Sequence, residues 1–202
     1  MLEEFQDPPQ TIKEFFRFYN FLVKPLYVEI EARNNSLPAE LLFEVFAAFD
    51  HIKRFYIDGL PEKEAVSAAY SHLKRGALDA FKLKLKYYNA DYEMFQQNAR
   101  LFPLIDNGDF TRAVQHNRKM VSQSGKKARL EESEKNISKA FDIWFETSLL
   151  IDSFYEQFFG SEKLLWAKTF EKKLLWKERI KGVIGGVIIS LVAAYIAKLL
   201  GW

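Results

Sequence analysis

Residues 78–95 read LDAFKLKLKYYNADYEMF, and two periods compete within them. Phe81-Lys-Leu-Lys-Leu-Lys-Tyr87 alternates apolar and polar residues, the period of a half-buried strand. Across the whole stretch Leu78, Phe81, Leu85, Tyr88, Tyr92 and Phe95 recur three and four apart, the seam of a helix packed as in a coiled coil. The longer pattern brackets the shorter one, so the stretch predicts a helix, running from Glu62 to about Ala99. With no strand–helix alternation elsewhere, the chain is expected to be all-α.

The same period extends outward. Residues 9–23 carry Phe15, Phe16, Tyr19 and Val23, and Pro25 is expected to break or kink the run before a second piece from Leu26 to about Arg33. Ser36 is a candidate cap for the next helix, with Pro38 in its first turn. Leu42, Val45, Phe46, Phe49, Ile52 and Tyr56 form its apolar stripe, and Gly59 and Pro61 end it. Beyond Pro103, Asp106-Asn-Gly-Asp109 predicts a loop, with Asp109 capping a short helix to about Met120. Ser122-Gln-Ser-Gly-Lys-Lys127 is the most linker-like stretch, and a long helix is expected from Ala128 to Phe159. Leu130, Ile137, Phe141, Trp144, Ile151, Phe154 and Phe158 mark the buried face of that helix. The predicted organisation is a cytosolic bundle of five or six helices over 1–160. An amphipathic basic connector helix follows over 161–181, with Trp166, Phe170 and Leu174 on one side, and a transmembrane helix over 182–202.

That last assignment rests on GVIGGVIISLVAAYIAKLLGW, where no charged side chain stands between Lys181 and Lys198. A span needs roughly 17–25 mostly apolar residues, and a snorkelling Lys198 extends this one to about that length. A buried core helix is the alternative, but core helices in so charged a chain are amphipathic. Trp176, Arg179, Lys181 and Trp202 read as membrane-interface anchors. The excess of Lys and Arg before the span places the preceding domain in the cytoplasm. Gly182, Gly186, Ser190 and Ala194 recur every four residues, with Lys198 continuing the series. Such a ribbon lets helix backbones approach closely in lipid, so it points to self-association or a pore lining.

Composition narrows the function. The chain has 202 residues, with nineteen Phe, nine Tyr and four Trp, enough for a sizeable core. A net charge of +2 gives no bulk argument for nucleic acid, and the absence of cysteine excludes thiolate chemistry. MLEEFQDPPQ is acidic without an apolar run, and Leu2 stands where N-myristoylation needs Gly, so insertion is expected to be of the tail-anchored type. The three histidines, His51, His72 and His116, fall in no metalloprotease, hydrolase or phosphate-loop motif. No catalytic residue, cofactor or metal is expected. Arg112-x-x-x-His116 loosely resembles the Arg/His pair of HEPN ribonucleases at a shorter spacing.

On the long helix His72, Arg75, Asp79, Lys82 and Lys86 fall three or four apart beside the apolar seam. Asp50, His51 and Arg54 sit on the preceding helix, and a hairpin brings the two sets together. The cluster reads either as an ion-pair network at the bundle edge or as a pocket for an anion or nucleotide. In the second case Arg54, His72, Arg75, Lys82 and Lys86 are the ligand-binding residues. Arg118, Lys119, Lys126, Lys127 and Arg129 form a second basic run, expected to be solvated or to meet anionic lipid or acidic partners.

A helical domain followed by one small-residue-rich span, together with Phe43-Glu-Val-Phe-Ala-Ala-Phe-Asp50 and His72-Leu-Lys-Arg-Gly-Ala-Leu-Asp79, resembles the HalA-like membrane effectors of the Hailong anti-phage defence system. The resemblance implies a homo-oligomeric channel, tetrameric, in the bacterial inner membrane. It implies control by a nucleotide or oligonucleotide made by a partner nucleotidyltransferase, and depolarisation of the cell on release. Independently of it, the residues point to a non-enzymatic membrane effector whose partners are membrane lipid and further copies of itself. A tail-anchored adaptor binding a protein partner is the alternative, and a HEPN-like ribonuclease the third.

Overall fold

A computed structural model describes residues 7–199, without the side chains of 191 and 194–199. Every regular element among the described residues is helical. Helix α1 (Ile12–Phe18) starts at Thr11, whose hydroxyl accepts from the Glu14 amide at 3.3 Å. Pro25 does not break the chain. A π turn (Tyr19–Val23) leads directly into α2 (Lys24–Asn34), with Pro25 in the first turn of α2. The wider turn absorbs the donor that proline lacks, so the two expected pieces form one continuous run.

Asn35, at φ 53°, stops α2 in the left-handed region. Helix α3 (Ala39–Asp58) then starts with Pro38 itself at the cap and no side-chain cap bond, so Ser36 does not play the expected role. Gly59 ends α3 at φ 72°, where a side chain would be strained. Helix α4 (Glu62–Gln96) is the long element expected from the opening stretch. Its seam residues Leu78, Phe81, Leu85, Tyr88 and Phe95 are buried. The period-two trap resolves physically. Lys84 is drawn inward to carboxylates while Lys82 is half-buried and Lys86 faces solvent, as a helix requires.

Two 3-10 turns (Ala99–Leu104 and Asp106–Gly108) lead to α5 (Asp109–Ser133), which runs straight through the stretch expected to be a linker. Gly125 is not a hinge. A Cβ there would lie 3.0 Å from Leu85 and 3.9 Å from Trp144, so glycine allows α5 to pack closely on α4 and on α6 (Ile137–Gln157). The break comes instead at Lys135, at φ 62°, between α5 and α6. The expected long helix from Ala128 therefore belongs to two elements, and Leu130 and Ile137, flanking the turn, are exposed.

Helix α4 is the axis of the bundle, packing against α1, α2, α3 and α6, with α5 on α6. Fully buried Phe15, Phe18, Tyr88, Trp144 and Phe154 anchor the core, each contributing roughly 1.5–3 kcal/mol by burial. At one end of the bundle Phe95, Phe102, Phe110, Phe154 and Phe158 interlock at centroid distances from 4.8 to 6.4 Å. There Gly160 turns the chain at φ 75°, and α7 (Glu162–Leu199) begins.

The connector from Glu162 onward and the described residues after it, to Leu199, form this single helix. Among the described side chains of α7 only Leu164 and Ala167 are buried; Trp166 and Phe170, expected on one side of an amphipathic connector, stack on each other at 5.2 Å and are exposed. Among the described residues no helix is long and apolar enough to cross a membrane. The expected span, 182–202, lies partly outside them.

Candidate functional site

The α3–α4 hairpin does bring the two polar sets together, and it neutralises one end of them. The His72 ring nitrogen lies 2.7 Å from Glu44 Oε2, and Arg75 Nε lies 3.8 Å from Glu44 Oε1. His51 stacks on His72 at 5.2 Å between ring centroids. Burial, then the charges of Arg54 and His72, hold the His51 pKa below its usual value. Arg54 does not join the cluster. It turns back to Asp50, 3.2 Å away, with Lys53 at 3.5 Å on the same carboxyl. The organising residue is Glu44, which sequence reasoning missed because a carboxylate inside FEVFAAFD gives no sign of what faces it. His72, Arg75 and Arg54 thus form ion pairs at the bundle edge.

Lys82 and Lys86 belong to a different place. Lys82 is taken up by Asp79 at 3.2 Å and Glu132 at 2.8 Å. Beyond it a groove of about 570 Å³ opens between the start of α3 and the flanks of α4 and α5, lined by Pro38, Glu40, Asp79, Lys82, Lys86, Asn89 and Arg129. A second groove of about 330 Å³ shares Asn89 and Arg129 and adds Arg118, Ser122 and Lys126. The shared residues make the two one trough along the α4–α5 seam. Lys86, Lys126 and Arg129 form no side-chain hydrogen bond or ion pair with another described residue. Arg118 is held in place: it donates to Asn89 Oδ1 at 2.6 Å, with its guanidinium 4.6 Å from the Tyr92 ring centroid and 5.3 Å from that of Tyr88.

Because α5 is continuous, Arg118, Lys126 and Arg129 of the basic run form one wall of this trough, while Lys119 and Lys127 are exposed outside it. Placing Lys86 opposite Arg129 needs the true helix boundaries, which Gly125 concealed. Four cations not committed to carboxylates, along a concave surface, suit an extended anion with more than one charged group. No set of three or more His, Cys, Asp or Glu among the described residues is arranged to hold a metal. Arg112 is exposed and paired with Asp109, and His116 is exposed one turn further on.

Two buried polar clusters also escaped the sequence reading. Lys84, 5% exposed, lies 2.7 Å from Glu29 and 2.6 Å from Asp152, joining α2, α4 and α6. Asp91 accepts from Tyr155 at 2.6 Å and pairs with Arg33, whose guanidinium also lies 4.9 Å from the Tyr87 ring centroid. The space beside them is only about 10 Å³, so they hold helices together and admit no ligand.

Helix α7 is fixed at its start by Leu164 and Ala167 and by two ion pairs, Lys163 to Asp106 at 2.5 Å and Arg100 to Glu171 at 3.0 Å. Trp176, Arg179 and Lys181 are exposed, and Lys181 pairs with Glu178 at 2.8 Å. Of the expected ribbon, Gly182 and Gly186 face open space among the described residues and Ser190 is exposed, its hydroxyl donating to the Gly186 carbonyl at 2.9 Å. The side chains of Ala194, Lys198 and Trp202 lie outside the described residues. Compared with protein-family models, curated proteins and solved structures, the chain matches none.

Proposed function

We propose that the chain is a non-enzymatic membrane effector whose helical bundle positions and controls a self-associating α7. The observation carrying this reading is the outward surface of α7. Val183, Ile184, Val187, Ile188, Ile189 and Val192 cover about two thirds of the helix circumference, all but the Gly182–Gly186–Ser190 face, and are 52–71% exposed. An apolar helix surface of that extent is not left to water, so lipid or neighbouring helices must cover it. The uncharged run continues in sequence to Ala197, which favours lipid. The Gly182–Gly186–Ser190 register supports helix pairing within it.

In this reading residues 182–202 are a single-pass span with the bundle in the cytoplasm of a bacterium, and the oligomer opens an ion path, as the resemblance to Hailong effectors implies. A ring of spans with Ser190 as the hydroxyl on the ribbon is apolar at mid-depth and gates by dewetting. The α4–α5 trough is the control surface. Relative to the five residues expected from sequence, it retains Lys82 and Lys86 and replaces Arg54, His72 and Arg75 with Arg118, Lys126 and Arg129. A phosphorylated ligand there shifts a closed–open equilibrium in proportion to its differential affinity for the two states.

The test separates effector from adaptor. Expression of the wild type is expected to depolarise cells, and Gly186→Leu to abolish this while the protein still sediments with membranes. Replacing residues 182–202 by an unrelated span is expected to abolish it too. An adaptor needs only a tether, so full function of the swapped chain overturns the proposal.

A further inference from the structure

The side of α7 that carries the small residues continues toward the bundle as a row of cations. At about 100° per residue Gly182, Gly186 and Ser190 share one side of the helix. Followed back at spacings of three and four, the same side holds Arg179, Leu175, Lys172 and Lys168. Lys172, Leu175 and Arg179 are exposed and Lys168 is half-buried. None of the three cations forms a side-chain hydrogen bond or ion pair with another described residue. The nearby acids stand off this row and are already taken: Glu171 pairs with Arg100 at 3.0 Å and Glu178 with Lys181 at 2.8 Å. In line with the small residues, the charge from Lys168 to Arg179 is therefore all positive.

Lipid does not account for the whole row. With hydrocarbon beginning at Gly182, an upright α7 puts Arg179 about 4–5 Å outside it, at headgroup level. Lys172 then stands about 15 Å outside and Lys168 about 21 Å. The headgroup layer on one side of a bilayer is only roughly 5–8 Å deep. Lys168 and Lys172 thus stand in water beyond the headgroups. When copies associate through the small-residue side, each turns the same cations toward a common axis. The positive potential there concentrates mobile anions.

We propose that Lys168, Lys172 and Arg179 of the associated copies form a positively charged vestibule at the bundle end of the ion path and make the path selective for small anions such as chloride. This rests on the reading of residues 182–202 as a self-associating span that conducts. Between Lys181 and Lys198 that span has no charged side chain, so the choice between ions falls to its ends.

The opposite side of α7 supplies the control, because Lys173 and Lys177 are exposed there and equally unpaired. The purified full-length chain, placed in a zwitterionic bilayer under a potassium chloride gradient, is expected to pass chloride in preference to potassium by about tenfold, read from the reversal potential. Lys168→Glu/Lys172→Glu should bring that ratio to unity or below, and Lys168→Gln/Lys172→Gln to an intermediate value. Lys173→Glu/Lys177→Glu should keep the wild-type ratio. The glutamine pair removes charge without reversing it, so it reports the selectivity if the reversed pair does not insert. A wild-type current that prefers potassium overturns the proposal and leaves the pore reading standing. So does a ratio untouched by both changes at Lys168 and Lys172, or one lowered as much by the Lys173 and Lys177 reversals. An inserted wild-type chain that passes no current fails as a pore, and the vestibule falls with that reading.

Discussion

Gly76 and Tyr27 show how one residue can carry a packing decision. The Tyr27 ring is buried between α2 and α4, its hydroxyl has no hydrogen-bond partner, and burial followed by the charges of Glu44 and Asp79 pushes its pKa up. A Cβ at Gly76 would overlap that hydroxyl and lie 3.2 Å from the Glu44 Cβ. Glycine in mid-helix costs about 1 kcal/mol relative to alanine. Here the close approach of α2 and α3 to α4 outweighs that cost. Gly76→Ala is therefore expected to destabilise by about 1–2 kcal/mol, overpacking minus the helix gain. Tyr27→Phe should be neutral or stabilising, because it removes an unsatisfied buried hydroxyl. Combining the two should recover most of the Gly76→Ala loss, and chemical denaturation of the three variants measures each term. Neither residue was marked as special in the sequence, since glycine reads as a helix weak point until its neighbour across the interface is known.

Among the elements, the opening stretch of α4 was legible because its apolar period persists over many turns. The boundaries around it were less so. Residues 122–127 carry loop composition, yet they lie inside α5 because Gly125 faces Leu85 and Trp144 and the tertiary contact overrides local preference. The α3 stripe was read too wide. Of its residues Val45 and Ile52 are buried and Phe49 packs partly against the core, whereas Leu42, Phe46 and Tyr56 face outward, and only the packing partner selects between the two sides. Lys84 is the element-scale case with an energetic consequence. Its ammonium ties three helices through carboxylates that keep 45% and 41% of their side-chain exposure, so the pairs are only partly desolvated. Lys84→Met keeps most of the apolar stem but leaves Glu29 and Asp152 facing each other. A loss of about 1–3 kcal/mol is expected, below the full cost of orphaning a buried charge. The denaturation midpoint should fall with an unchanged m-value, and Glu29→Gln in the Lys84→Met background should regain part of it.

For the whole molecule, the trough and α7 are joined through α4. Lys86 and Asn89 line the trough, and Tyr92 and Phe95 continue α4 into the aromatic end that packs on Phe102, beside the segment to which α7 is tied by Arg100 and Glu171. A ligand that orders the α4–α5 seam therefore bears on the base of α7. In the proposed function the trough's free cations bind the controlling anion, and that binding can be measured without knowing the natural ligand. Inorganic tripolyphosphate is expected to raise the thermal midpoint of the full-length chain, since a ligand at about 100 times its Kd adds roughly 2.7 kcal/mol to the folded state. The shift should diminish with added salt, as charge-driven binding does. It should vanish in Lys86→Glu/Arg129→Glu, which reverses two exposed cations free of internal partners and so leaves the fold intact. Arg54→Glu/Arg75→Glu, at the ion-paired edge, should retain it. If the edge variant loses the shift and the trough variant keeps it, the anion binds where the sequence first placed it, and the α4–α5 seam has no part in control.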